Sequence, residues 1–68
     1  MTAAEFKKLR MECGWSQYLL ADLLGVTRSS VTHWECGRAP VPTGVRKALR
    51  DAHAIVTAAM RILSQMDT

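Results

Sequence analysis

The sequence is short of the residues that usually brace a very small protein. Its 68 residues include two cysteines, whereas a secreted disulfide framework of this length normally carries four, six or eight. Only two prolines and four glycines occur, and neither type is found after Gly44. Aromatics make up 6%. No apolar run approaches the roughly 18 residues of a membrane span. The opening MTAAEFKKLR lacks the basic stretch and apolar run of a signal peptide. Strand-like alternation is missing as well, which argues against β and mixed folds. These absences point to an all-α, cytoplasmic protein with reduced thiols, and they leave disulfides out as its brace.

Support is needed, because a chain of this size buries only about 60% of the surface it exposes when unfolded. Apolar residues are plentiful at 49%, too many for a disordered segment. Nine Lys and Arg against six Asp and Glu leave a charge of +3, a weak pointer to an anionic partner that only position can sharpen. There is no repeat, linker or low-complexity tract, so we expect a single domain over residues 1–68.

Glycine and proline divide the chain into helices. Thr2 and Glu5 form a T-x-x-E capping box for the first, whose inner face is Phe6, Leu9 and Cys13 and which Gly14 ends. Ser16 caps a short second helix with Leu19, Leu20, Leu23 and Leu24 expected on one side, ended by Gly25. Thr27 caps a third, with Val31 and Trp34 inward, and Gly37 stops it. Pro40 and Pro42 keep residues 38–42 out of the helical region. A last helix restarts at Thr43 and meets no breaker up to about Met66.

Two short helices joined at a glycine are the elements of a helix-turn-helix, placed here at residues 16–36. Gln17, Ala21, Gly25, Val26, Val31 and Trp34 occupy the positions where that motif needs a polar helix start, a small crossing residue, a turn glycine and three apolar contacts. The quoted pattern is Leu9-Arg10, Gly14-Trp15-Ser16-Gln17, Leu20-Ala21, Leu24-Gly25-Val26-Thr27 and Val31-x-x-Trp34-Glu35-x-Gly37. On these residues the chain resembles the lambda-repressor/Cro-like, or XRE-type, helix-turn-helix family over residues 9–42. The resemblance implies a compact all-α DNA-binding domain; the family more often has two shorter helices where this chain reads as one long last helix, which makes a small bundle of four helices, or five if the last one kinks near Asp51. It also implies that the third helix enters the major groove of double-stranded DNA.

On that third helix the positions facing away from Val31 and Trp34 are polar. Arg28 can grip guanine O6 and N7, Ser29 and Thr32 can bond to most base edges, and His33 can read a base or a phosphate. Thr27 joins them as a candidate base contact. Ser16 and Gln17 open the second helix, where backbone N–H groups favour an anion, and the family uses the matching glutamine for a phosphate. Ser30, Arg38, Thr43 and Arg46 complete the expected phosphate contacts, while Lys47 and Arg50 fit equally a solvated face. Arg10 and Glu35 match a pair that in the family bridges two helices and sets their angle. Cys36 stands where many relatives place a phosphate-binding polar group, and a thiol is a poor donor.

Cys13, Cys36, His33 and His53 are scattered, without the spacing of a zinc site, so no metal or cofactor is expected. A Cys13–Cys36 link under oxidation is a minor alternative. No phosphate loop, paired carboxylates or nucleophile constellation suggests an enzyme. The final stripe Val45, Ala48/Leu49, Ala52, Ile55/Val56, Ala59, Ile62/Leu63, Met66 steps by three and four like a coiled-coil seam. Its second half outruns the core, so Ile55, Ala59, Ile62, Leu63 and Met66 are expected to join two copies into a homodimer reading an inverted-repeat operator. The functional expectation is a sequence-specific transcriptional repressor, phage- or plasmid-type or autoregulatory, associated with the nucleoid through DNA. The other is an antitoxin-type protein whose last helix binds a protein partner.

Overall fold

A computed structural model describes residues 1–66. Four helices account for its regular structure: α1 (Ala3–Glu12), α2 (Gln17–Leu24), α3 (Arg28–Glu35) and α4 (Thr43–Met66). Among the described residues there is no strand, and α4 runs as one helix with no break near Asp51.

Local chemistry sets each boundary. The Thr2 hydroxyl accepts from the Glu5 N–H at 3.1 Å, and the Glu5 carboxylate accepts from the Thr2 N–H at 3.3 Å. This closes the capping box, and the Thr2 N–H holds the Glu5 carboxyl below its ordinary pKa. The Ser16 and Thr27 hydroxyls cap α2 and α3 by accepting from the Leu19 and Ser30 N–H groups, without the return bond. Gly25 leaves α2 in the left-handed conformation at φ 69°, where a side chain is disfavoured. Its N–H donates to the Asp22 carbonyl, and that of Val26 to Ala21, so the end of α2 is satisfied while the chain turns into α3.

The core lies where α1, α2, α3 and the first half of α4 meet. Phe6, Leu20, Leu49 and Val31 are fully enclosed, with Ala21 and Trp34 beside them. Phe6 and Trp34 pack edge to face, with centroids 5.8 Å apart, a favoured aromatic geometry. Val41 also reaches this core from the proline segment, a contact that helical periodicity does not reveal.

The leucines of α2 do not all turn inward. Leu20 is buried with Ala21, and Leu24 is half-buried, but Leu19 and Leu23 are exposed. At 100° per residue the four leucines span about 140°, wider than one short helix can bury while Ala21 is enclosed as well. Leu23 instead borders an apolar cleft of about 270 Å³ between α2 and α4, floored by Leu20 and Leu49. Trp15, Leu24, Ala48 and Ala52 complete its walls.

Halfway along, α4 parts from the body. His53 Nε2 and Glu12 Oε1 meet at 2.7 Å, tying it to the end of α1. Every residue from Thr57 to Met66 is exposed, and the molecule measures 44 × 20 × 18 Å. No helix among the described residues is long and apolar enough to cross a membrane.

Candidate nucleic-acid interface

Packing Val31 and Trp34 inward leaves the opposite side of α3 to solvent. Arg28, Ser29, Thr32, His33, Cys36 and Arg38 surround an open hollow of about 310 Å³ on that side. Two guanidinium groups, an imidazole and two hydroxyls thus converge on one surface, the composition needed to meet base edges and phosphates together. Arg38 comes from the loop after α3, whose chain is held by its N–H donating to the His33 carbonyl at 2.9 Å.

Several of these side chains already have work within the chain. The Thr27 hydroxyl accepts from the Ser30 N–H and lies 3.2 Å from the Ser30 hydroxyl, so these two polar groups engage each other. Thr32 donates to the Arg28 carbonyl at 3.1 Å, and the hydroxyl turns back toward the helix while its oxygen can still accept. Arg28 lies with its guanidinium carbon 4.6 Å from the centre of the Tyr18 ring. Such a cation–π contact restrains the long side chain over α2. Tyr18 is absent from the residues expected at the interface. Its signal was an exposed aromatic in the first turn of α2, a position without a core contact to explain it.

Beneath the interface lies a buried polar network. Glu35 accepts from Arg10 Nε at 2.6 Å, from Arg10 Nη2 at 3.2 Å and from Gln17 Nε2 at 3.1 Å. Arg10 Nη1 donates to the Trp15 carbonyl at 2.7 Å. The charged pair is nearly sealed, with side chains 11% and 4% exposed. One carboxylate therefore joins α1, the start of α2 and the end of α3. The Gln17 amide is drawn inward by this bond, leaving one of its two N–H groups for an outside acceptor. Ser16 is exposed, its hydroxyl already accepting from Leu19.

The remaining expected phosphate contacts sit apart from the α3 hollow. Thr43 accepts from Arg46 Nη2 at 2.9 Å, and both border a second open hollow of about 300 Å³ with Lys47, Arg50 and Asp51. Lys47 and Asp51 form an exposed ion pair at 2.7 Å, which raises the Lys47 pKa. Three cations against one carboxylate leave this hollow positive. Cys36 is exposed and Cys13 buried, both as free thiols. Burial, and then the neighbouring Glu12 charge, push the Cys13 thiol above its ordinary pKa.

Two short helices joined through a left-handed glycine, with a polar outer face on the second, define a helix-turn-helix protein. A family model described as a helix-turn-helix domain matches residues 3–61, and the chain belongs to that family. Membership marks it as a DNA-binding regulator, and the match reaches past the motif into the exposed half of α4. Searches of curated proteins and of solved structures each returned no match.

Proposed function

We propose that this chain is a sequence-specific transcriptional repressor that binds operator DNA as a homodimer, with α3 in the major groove. The hollow walled by Arg28, Ser29, Thr32, His33 and Arg38 carries this reading. It gathers bidentate, hydroxyl and imidazole donors on one exposed helix face. Arg28, Ser29, Thr32 and His33 read bases, while Thr27 starts the helix at the groove. Ser16, Gln17, Ser30, Arg38, Thr43 and Arg46 lie along the sugar–phosphate backbone.

The exposed apolar end of α4 supports self-association, since Ile55, Ile62, Leu63 and Met66 are each more than half exposed in the single chain. Two copies related by a two-fold axis present two α3 helices to half-sites about 34–36 Å apart, so the operator is an inverted repeat. The repressor acts in the cytoplasm by occupying DNA that polymerase needs. The same stripe also suits an antitoxin-type protein that neutralises a partner, and co-purification of a second protein dependent on α4 is the sign of that role.

Selection of bound sequences from random DNA tests the proposal, with an inverted repeat as the expected product. Arg28→Ala is expected to cost about 1–3 kcal/mol and relax preference at one base pair, whereas Arg38→Ala weakens all sequences alike and flattens the salt dependence. Equal losses on operator and random DNA for both variants would refute these roles.

A further inference from the structure

The stripe on α4 is more ordered than exposure alone requires. At 100° per residue, Ala48, Ala52, Ile55, Ala59, Ile62 and Met66 lie within about 40° of one line along the helix. The stripe begins in the α2–α4 cleft, where Ala48 and Ala52 form part of the wall. It runs to Met66, so one apolar track joins a cleft on the body to the last turn of α4. From Ala52 to Met66 the only ionisable side chains are His53 and Arg61. His53 is held by Glu12, and Arg61 falls on the side of the helix away from the stripe.

We infer that the occupant of this track is a second copy of the chain, lying antiparallel with the two-fold axis at the level of Thr57. The inference rests on the homodimer proposed above and specifies its geometry. The register follows from side-chain size. With the axis at Thr57, Ala48 faces the second copy's Met66, Ala52 faces its Ile62, and Ile55 faces its Ala59. By symmetry all six layers then pair a small residue with a large one, which keeps the helix separation even along the contact.

A parallel pair sets each residue against itself. Small layers at Ala48, Ala52 and Ala59 are then mixed with large ones at Ile55, Ile62 and Met66, although close-packed helices keep one separation within roughly 8–10 Å. The antiparallel overlap from Ala48 to Met66 runs about 28 Å. Leu63, on the flank of the track nearest the core, reaches the cleft walled by Leu23 and Leu24 of the other copy. Each chain thus supplies both the cleft and the helix end that fills it. No charged residue on the track favours a different partner over a second copy.

Charge exchange across the axis tests the register, read by sedimentation equilibrium on the full chain. The unaltered chain is expected to dimerise. Ala52→Glu alone and Ile62→Lys alone should each weaken association more than about tenfold. Together they place opposite charges face to face and should restore it to within about threefold of the unaltered chain. In a parallel pair the double variant sets Glu on Glu and Lys on Lys and stays monomeric, which overturns the register but leaves the homodimer standing. A monomeric unaltered chain at high micromolar concentration overturns both. Ala52 is half-buried, so helical circular dichroism must be retained. If it is lost, Ala48→Glu with Met66→Lys, both at exposed positions, gives the same comparison.

Discussion

Glu35→Ala is the substitution on which the account of the fold depends most. The carboxylate receives three N–H groups, two from Arg10 and one from Gln17, at 2.6 to 3.2 Å. Only 4% of its side chain is exposed, and 11% of that of Arg10. Removing it strands the guanidinium charge with one remaining acceptor, the Trp15 carbonyl. Loss of one partner from a buried pair costs about 3–5 kcal/mol. A single core of this size rarely supplies more than about 3–5 kcal/mol in total, so Glu35→Ala should be largely unfolded at 25 °C. Replacing both charges, as Arg10→Met with Glu35→Leu, removes the stranded ion. The cost then falls close to zero or changes sign, because desolvating the pair offsets most of its attraction.

Urea unfolding of the unaltered chain, Arg10→Met, Glu35→Leu and the double variant, followed by circular dichroism, measures the coupling directly, with Glu35→Ala unfolded beside them. Two results would refute the reasoning: a loss under about 1 kcal/mol for Glu35→Ala, which is the behaviour of an exposed pair, or a double variant as unstable as the single. The folded double variant carries a second expectation. With no carboxylate to hold Gln17 or to set α3 against α1, its DNA affinity should fall although its stability does not.

Two further outcomes are expected. Tyr18→Leu removes the ring beneath Arg28, so operator binding should weaken by about 0.5–1 kcal/mol while binding to random DNA hardly changes. Tyr18→Phe should behave as the original, and equal losses on both DNAs would show that the ring does not position Arg28. In alkylation at neutral pH, Cys36 should react at once and Cys13 lag more than about tenfold, because burial protects it and disfavours its thiolate. Denaturant should abolish the lag, and two equally fast thiols in the folded chain would contradict the burial of Cys13.

Much of the arrangement of the candidate site was readable from order alone. Val31 and Trp34 give α3 its inward direction, and the helical period then places Arg28, Ser29, Thr32 and His33 outside, where they share one hollow with Arg38. What period could not show was prior engagement. Thr27 and Ser30 bond to each other, Gln17 is drawn to Glu35, and Arg28 rests on Tyr18. These partners are three to eighteen residues apart, and a face assignment says where a side chain starts but not which neighbour it meets. The leucines of α2 share one side, but period alone did not say how deep each would lie. The core enclosed Leu20, half covered Leu24 and left Leu19 and Leu23 exposed.

By itself the sequence determined the helices and their limits, because capping hydroxyls, a left-handed glycine and two prolines act on the backbone within a few residues. It favoured a single α4, since nothing after Gly44 breaks it, but left a kink near Asp51 open, and the structure shows one uninterrupted helix. Tertiary structure decided which polar groups are sealed and which remain outside. It joined α1, α2 and α3 through Glu35, and set Leu23 in a cleft against Ala48 and Ala52. It also left α4 without a core beyond its half-buried Val56. These outcomes depend on how much surface neighbouring helices can cover, a quantity fixed only when residues distant in the chain come into contact.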